Sequence, residues 1–422
     1  MDDANFLTLA EGAAEDPWRP HDVLINWQGT TERAFDVLSN PPGIAWWLAP
    51  MIEQPVQLLH LWMLPWLLLA AWGAWQLGER FCGKGRAAGL LLCASPVALL
   101  ATHALTPDLP LFACTLAGLG GITREGRRRW PWALLLGCAA LFRYSGLALI
   151  PLAAVWPALR REWRPALGLA VTAAVPSALL WLHDLHAYGG SHFLAMIDFQ
   201  SVTHTEHAVF RKLAAALAML GGAAALPLLC WSRPSRASLG LVFGLGVGLL
   251  AAHISEHTGA GWLTTVLACS AGGASLGGGL SWQRREDCFL STWLIGGLLF
   301  LLTLRFTASR YWLPFLAPAI LVPLRHCSRT TLAAGATTAL SLLLALDDLE
   351  LARAHRNLAD RVASMGTGTF AGHWGWQHYL ERQGWLALEE DQAVPPGTLF
   401  ASAHATWPQE VLKGTCLTPV ER

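Results

Sequence analysis

The chain is 422 residues long, 54% hydrophobic and 14% charged, where a soluble domain has about 45–50% apolar and roughly 25% charged residues. Its formal net charge is +0, and no basic patch is interleaved with aromatics, which excludes a nucleic-acid-binding surface. The charges are bunched into short runs such as Arg124-Glu125-Gly126-Arg127-Arg128-Arg129, separated by long uncharged stretches, the pattern of a chain whose main solvent is lipid.

The first 55 residues are polar. They open on the acidic pair Asp2-Asp3 ahead of Ala4 to Ala14, where Asp3 is a favoured helix N-cap. Neither a signal peptide nor an apolar segment precedes them, although charge bias (below) puts this stretch outside the cell. A first transmembrane helix is therefore expected to be missing from this sequence.

Twelve uncharged apolar runs follow, at 56–78, 87–103, 109–122, 130–142, 144–159, 165–182, 213–231, 237–252, 260–280, 288–304, 311–324 and 330–346. Each is expected to be a helix, since lipid offers backbone groups no outside partner. Alternate connections then carry Arg80, Lys84 and Arg86; Arg124, Arg127, Arg128 and Arg129; Arg160, Arg161 and Arg164; Arg233 and Arg236; Arg284 and Arg285; and Arg325 and Arg329. By the positive-inside bias these face the cytoplasm. The loops at 104–108, 183–212, 253–259 and 305–310, the first 55 residues and everything after 346 then face outward. Runs 109–122, 130–142 and 311–324 are short for a bilayer that wants about 20 residues per helix, so they are expected to be partial spans or to be buried by neighbours. Arg143 falls in a tight outer hairpin, where it can snorkel to the interface.

Eight of the nine cysteines lie in the runs or at their inner ends, and only Cys416 lies outside, so no outer disulfide framework is expected. The loop 183–212 holds His183, His186, His192, His204 and His207 with Asp184, Asp198 and Glu206, a set able to hold a divalent ion. Its irregular spacing favours solvated histidines, and no metal ligand and no certain cofactor is assigned. Beyond 346 the chain turns polar. Ala352–Met365 and Trp376–Gln383 read as helices, and Pro395-Pro396-Gly397 is a turn ahead of a strand at Thr398–Ala401. The fold class is thus an all-α polytopic membrane bundle with a small α/β extramembrane C-terminal domain at 347–422.

Several stretches together resemble the GT-C superfamily of integral membrane glycosyltransferases, specifically the dolichyl-phosphate-mannose protein mannosyltransferase-like group (glycosyltransferase family 39) and the aminoarabinose transferases of lipid A. These are Asp2-Asp3 with Phe6-Leu7-Thr8-Leu9-Ala10, like an acidic pair in the first outer loop, and Asn40-Pro41-Pro42-Gly43, where Asn replaces the usual His. Others are Thr106-Pro107-Asp108-Leu109-Pro110, like Pro-Asp-x-Pro; Phe142-Arg143-Tyr144-Ser145-Gly146, where Lys is more usual; Ser309-Arg310-Tyr311-Trp312-Leu313-Pro314, like Arg-Tyr-x-x-Pro; and Gly372-His373-Trp374-Gly375-Trp376-Gln377. Each is weak alone; the resemblance lies in their order along nearly the whole chain. It implies a transmembrane glycosyltransferase domain over 1–346 and inverting transfer of a sugar, hexose or pentose, from a polyprenyl-phosphate donor to a hydroxyl of a glycan, lipid or protein acceptor. The reaction would take place at the outer face of a membrane, here a bacterial inner membrane facing the periplasm.

Phosphate leaves as a stable anion, so one base suffices. Asp3 or Asp2 is the candidate base, with Asp108 a further active-site acid that is costly in an apolar setting unless solvated, paired or useful. Arg310 with Tyr311 and Arg143 are the candidate phosphate-binding residues, because a guanidinium fork matches phosphate oxygens; an interfacial Arg-Tyr-Trp anchor is the competing reading. At the whole-protein level the alternatives are a transporter or flippase of lipid-linked saccharides, a diphosphate-donor polymerase or ligase, and a catalytically dead scaffold.

Overall fold

The computed structural model describes residues 3–26, 29–124, 128–201, 208–232, 236–304, 307–390 and 392–403. In chain order these form α1 (Asp3–Glu15), strands β1 (Leu24–Asn26) and β2 (Thr31–Arg33), and then the helices of the bundle. The bundle helices are α2 (Leu64–Cys82), α3 (Gly85–Cys93), α4 (Pro96–Thr102), α5 (Asp108–Ile122), α6 (Trp130–Phe142), α7 (Leu152–Leu159), α8 (Trp163–Tyr188), α9 (His192–Ser201), α10 (Ala208–Ala223), α11 (Ala237–Ile254), α12 (Gly259–Gly279), α13 (Arg285–Thr303), α14 (Ala317–Arg325) and α15 (Thr330–Ala363). The chain closes with β3 (Gly368–Ala371), α16 (Gly375–Arg382), β4 (Leu386–Ala387) and β5 (Leu399–Ser402). Two compact units result: Pro55–Ala345, and Met1–Gln54 together with Leu346–Arg422.

The first unit is an integral membrane bundle. Among the described residues, five helices are long and apolar enough to cross a bilayer, and six if the pair α3 and α4, bent by 68°, counts as one broken span. All twelve apolar runs are helical, several of them as two helices or as a helix with a 3-10 turn. Leu167, Val171 and Leu179 on α8 and Leu239, Val242 and Leu249 on α11 are exposed, as apolar faces turned to lipid should be. The segment 183–212, expected as a loop, is partly helical: α8 runs on to Tyr188 and α9 follows.

Helix α5 has every residue from Asp108 to Ile122 buried, the outcome for a helix that is apolar all round. It packs against α2, where a methyl group on Gly73 would come within 2.4 Å of the Ala117 backbone, and against α6. The pair α11 and α12 closes on glycine in the same way. A Cβ on Gly244 would lie 2.2 Å from the Cys269 carbonyl, and one on Gly273 2.2 Å from the Gly240 carbonyl, the small-residue packing of membrane helices.

The arginine-rich connections gather at one end of the bundle. Arg129 meets Glu162 at 2.6 Å, and Glu162 also holds Arg160 at 3.0 Å. Arg80 lies over Trp156, 5.3 Å from the ring centre. Arg325 pairs with the buried Asp287 and donates to the Phe81 carbonyl at 2.8 Å. Lys84 caps the end of α14 by donating to the Leu324 and Cys327 carbonyls, both at 2.9 Å, and Ser328 N–H donates to the Trp231 carbonyl at 3.1 Å.

The second unit is discontinuous. The strands β4, β3 and β5 form a parallel sheet with β3 at its centre, and α16 crosses over from β3 to β4. Phe370, Trp376, Leu380 and Trp385 make its core with Ala359 from α15. The β1–β2 hairpin pairs Leu24 with Arg33 and Asn26 with Thr31. Glu390 N–H donates to the Gly29 carbonyl at 2.7 Å and Thr31 N–H donates to Glu389 at 3.0 Å. These long-range bonds gather residues 1–54 with the tail, whereas a boundary drawn at 346 from polarity keeps 1–55 with the bundle. The helix α15 likewise runs unbroken from Thr330 to Ala363, through the point where apolarity ends.

Candidate functional site

At the end of the bundle opposite those arginines, three elements bring their termini together. Helix α5 begins on Asp108, between Pro107 and Pro110, and a helix's first turn accommodates proline without loss of a backbone bond. Helix α6 ends on Phe142, and Arg143 behind it adopts extended backbone, φ −149°, before a 3-10 turn over Tyr144–Leu149. A second 3-10 turn, Ser309–Phe315, precedes α14. It is fixed from below by Trp312 Nε1, which donates to the Ala216 carbonyl at 2.8 Å, and by Trp293 Nε1, which donates to the Pro314 carbonyl at 2.8 Å.

Arg143 donates from Nη1 to Asp108 Oδ1, and the two are 9% and 3% exposed. The expectation that Arg143 snorkels is therefore corrected: a buried carboxylate at the head of α5 draws it inward, since a lone charge there would be costly and a paired one is not. The Arg143 guanidinium also covers the Tyr311 ring, 4.8 Å from its centre, and Arg310 approaches the same ring at 5.8 Å. Asp108, Arg143, Arg310 and Tyr311 thus form one cluster, in which Arg143 pairs with Asp108 and both guanidinium groups approach the Tyr311 ring. The guanidinium donors are suited to phosphate oxygens.

No protein-family model and no curated protein matches the chain. Solved structures similar to it include ArnT from Cupriavidus metallidurans in the apo state, at 15% sequence identity and a TM-score of 0.44, covering 90% of this chain and 80% of that one. ArnT from Cupriavidus metallidurans bound to undecaprenyl phosphate is similar at 16% identity and a TM-score of 0.47, covering 92% and 81%.

Asp3 belongs to the other unit, where it opens α1 and its Oδ1 is buried without a hydrogen-bond partner among the described residues. Asp2, the neighbouring candidate base, lies outside the described residues, as do His204, Glu206 and His207. Among the described residues no three His, Cys, Asp or Glu side chains converge as a metal site would require. His183 meets Asp184 at 3.2 Å.

The sequence reading passed over His192 as a solvated loop residue. It is 1% exposed, sits at the start of α9 and shares a hydrogen bond with the Tyr144 hydroxyl at 2.7 Å. Phe193 packs on the same tyrosine, its ring centre 5.2 Å away. This contact braces the residue after Arg143. Tyr144 next to the candidate arginine was the available signal; its partner lies 48 residues away and had none.

Proposed function

We propose that this chain is an inverting glycosyltransferase of the GT-C kind. It moves a sugar from a polyprenyl-phosphate donor to an acceptor hydroxyl at the outer face of a bacterial inner membrane. The single observation that carries the reading is the convergence of Arg143 and Arg310 on Tyr311, with Asp108 paired to Arg143, at the end of the bundle away from the arginine-rich connections. A lipid phosphate is an anion fixed at headgroup depth, and such a cluster offers it charge and directional donors at that level. Both guanidinium groups approach the Tyr311 ring, which favours cations over its face.

In the reaction the bond from the anomeric carbon to the phosphate oxygen breaks and the phosphate departs with the electron pair. The acceptor oxygen bonds the opposite face of that carbon, which inverts it, and its proton passes to a carboxylate. Asp3, or Asp2 beside it, is the proposed base, its role carried by the resemblance of Asp2-Asp3 to the family's acidic pair. Asp108 is assigned to holding Arg143 against the donor phosphate, because its carboxylate is already committed to that guanidinium.

The test is sugar transfer in proteoliposomes, with polyprenyl-phosphate and polyprenyl-diphosphate sugars offered separately. Asp3→Asn, Asp108→Asn and Arg310→Ala should each abolish or sharply reduce transfer from the monophosphate. Full transfer by Arg310→Ala and Asp108→Asn together would sink the phosphate assignment. Lipid-linked sugar crossing the bilayer with no new glycosidic bond would make the protein a transporter.

A further inference from the structure

The small α/β unit carries a feature that transfer chemistry does not use. His373 follows β3 directly and is 2% exposed, yet among the described residues neither of its ring nitrogens makes a hydrogen bond. The Gln377 side chain and the Asn26 carbonyl stand close enough to act on its charge but not in bonding geometry. Asn26 is in the same condition: its Oδ1 accepts from the Gly29 N–H at 2.8 Å, while its Nδ2 is buried without a partner. Two such groups side by side are uncommon, since buried polar atoms are nearly always satisfied and a bare one is costly.

The next residue adds a second anomaly. Trp374 has φ +64° and ψ −132°, close to the first central position of a type II′ turn, which glycine normally occupies. A large aromatic held there is strained, and an observed outlier of this kind points toward function. Behind it α16 starts with no capping side chain, so its first N–H groups remain available as donors. There is room as well: a Cβ built on Gly375 would meet nothing nearer than Tyr379 Cε2 at 4.0 Å.

We infer that the α/β unit binds a saccharide at the carboxyl end of β3, through His373, Asn26, Trp374 and the first turn of α16. The carboxyl edge of a parallel sheet is where such folds receive ligands. Burial holds the His373 pKa below its ordinary value, so at neutral pH the ring is uncharged and offers one donor and one acceptor. The Asn26 amide and the helix N–H groups add donors, and Trp374 and Tyr379 add aromatic faces. A sugar hydroxyl both gives and accepts a hydrogen bond, and a sugar ring has apolar C–H faces, so the chemistry matches. A phosphate would call for converging cations; here a single guanidinium, that of Arg356, lies over the Tyr379 ring among the described residues, 5.7 Å from its centre. The inference stands apart from the transfer reading and does not depend on it.

The experiment uses the purified full chain in detergent on an array of printed mono- to tetrasaccharides, followed by titration with each retained glycan. The parent protein should retain a defined subset. His373→Phe, which keeps the ring and removes both nitrogens, should weaken binding at least tenfold. Trp374→Gly, which relieves the backbone and removes the aromatic face, should do the same, and it guards against a misfolded His373 variant. Arg310→Ala and Asp108→Asn should bind glycan as the parent does. Absence of any retained glycan overturns the inference, as does parent-like binding by both His373→Phe and Trp374→Gly. Loss of binding in Arg310→Ala would move the sugar to the bundle and overturn it equally.

Discussion

Arg143 and Asp108 hold each other in place inside the bundle, and the consequence is asymmetric. Arg143→Gln leaves a buried carboxylate without its cation and is expected to lower stability by about 3–5 kcal/mol, measured as denaturant unfolding in detergent. Adding Asp108→Asn to that variant removes the orphaned charge, so most of the loss should return while transfer stays absent. Arg310→Ala should raise the KM for the proposed lipid-phosphate donor by roughly tenfold to a hundredfold, the loss of charge-assisted bonds to phosphate. The residue types of this cluster could be named from the chain alone, and one of its contacts could have been derived. Asp108 opens one apolar run and Arg143 closes the next, so an antiparallel hairpin sets them side by side. Tyr311 is 168 positions beyond Arg143, and nothing local announces that the 309–315 turn packs on that hairpin.

Among the elements, α11 and α12 illustrate how close packing depends on absent side chains. Gly244→Ala puts a methyl group against the Cys269 carbonyl and should cost about 1–3 kcal/mol, as overpacked cores do, read as a lower unfolding midpoint. In α16 the titration of His378 gives a pH signature. Burial, then the nearby Arg382, depresses its pKa from 6.5 to about 4. The folded state therefore refuses a proton that the unfolded chain accepts, so stability is full above pH 6.5 and falls as pH drops toward 4. Burial raises the Glu381 pKa from 4.5, which has the opposite sign and acts nearer its own range. His378→Gln should consequently flatten the loss between pH 6.5 and 5, measured by hydrogen exchange of the amides of β3 and β5. Short elements escaped the sequence reading: β3 and β4 are four and two residues long, too few for alternation to register. The helices expected at 330–346 and Ala352–Met365 are one, α15. Asp347-Asp348 ends the apolar pattern, but the residues after it are good helix formers and the helix runs on.

For the molecule as a whole, the gathering of Arg80, Lys84, Arg129, Arg160 and Arg325 at one end, with the Tyr311 cluster at the other, defines two faces. In sealed right-side-out vesicles, Thr258→Cys should react with an impermeant maleimide and Gln283→Cys should not until the membrane is opened. The reverse pattern would put the cluster in the cytosol and remove the proposed donor from its reach. The alternation of charged and uncharged stretches was enough to establish where helices form and which ends carry the arginines, because lipid enforces a one-dimensional rule: each span must satisfy its own backbone and leave its arginines on one side. Folding in three dimensions decided the rest. It drew residues 1–54 to the tail through bonds such as Glu390 to Gly29, turned a snorkelling Arg143 into a buried partner of Asp108, and left His373 enclosed with neither ring nitrogen hydrogen-bonded among the described residues. Those outcomes depend on which distant surfaces meet, and polarity along the chain carries no record of that.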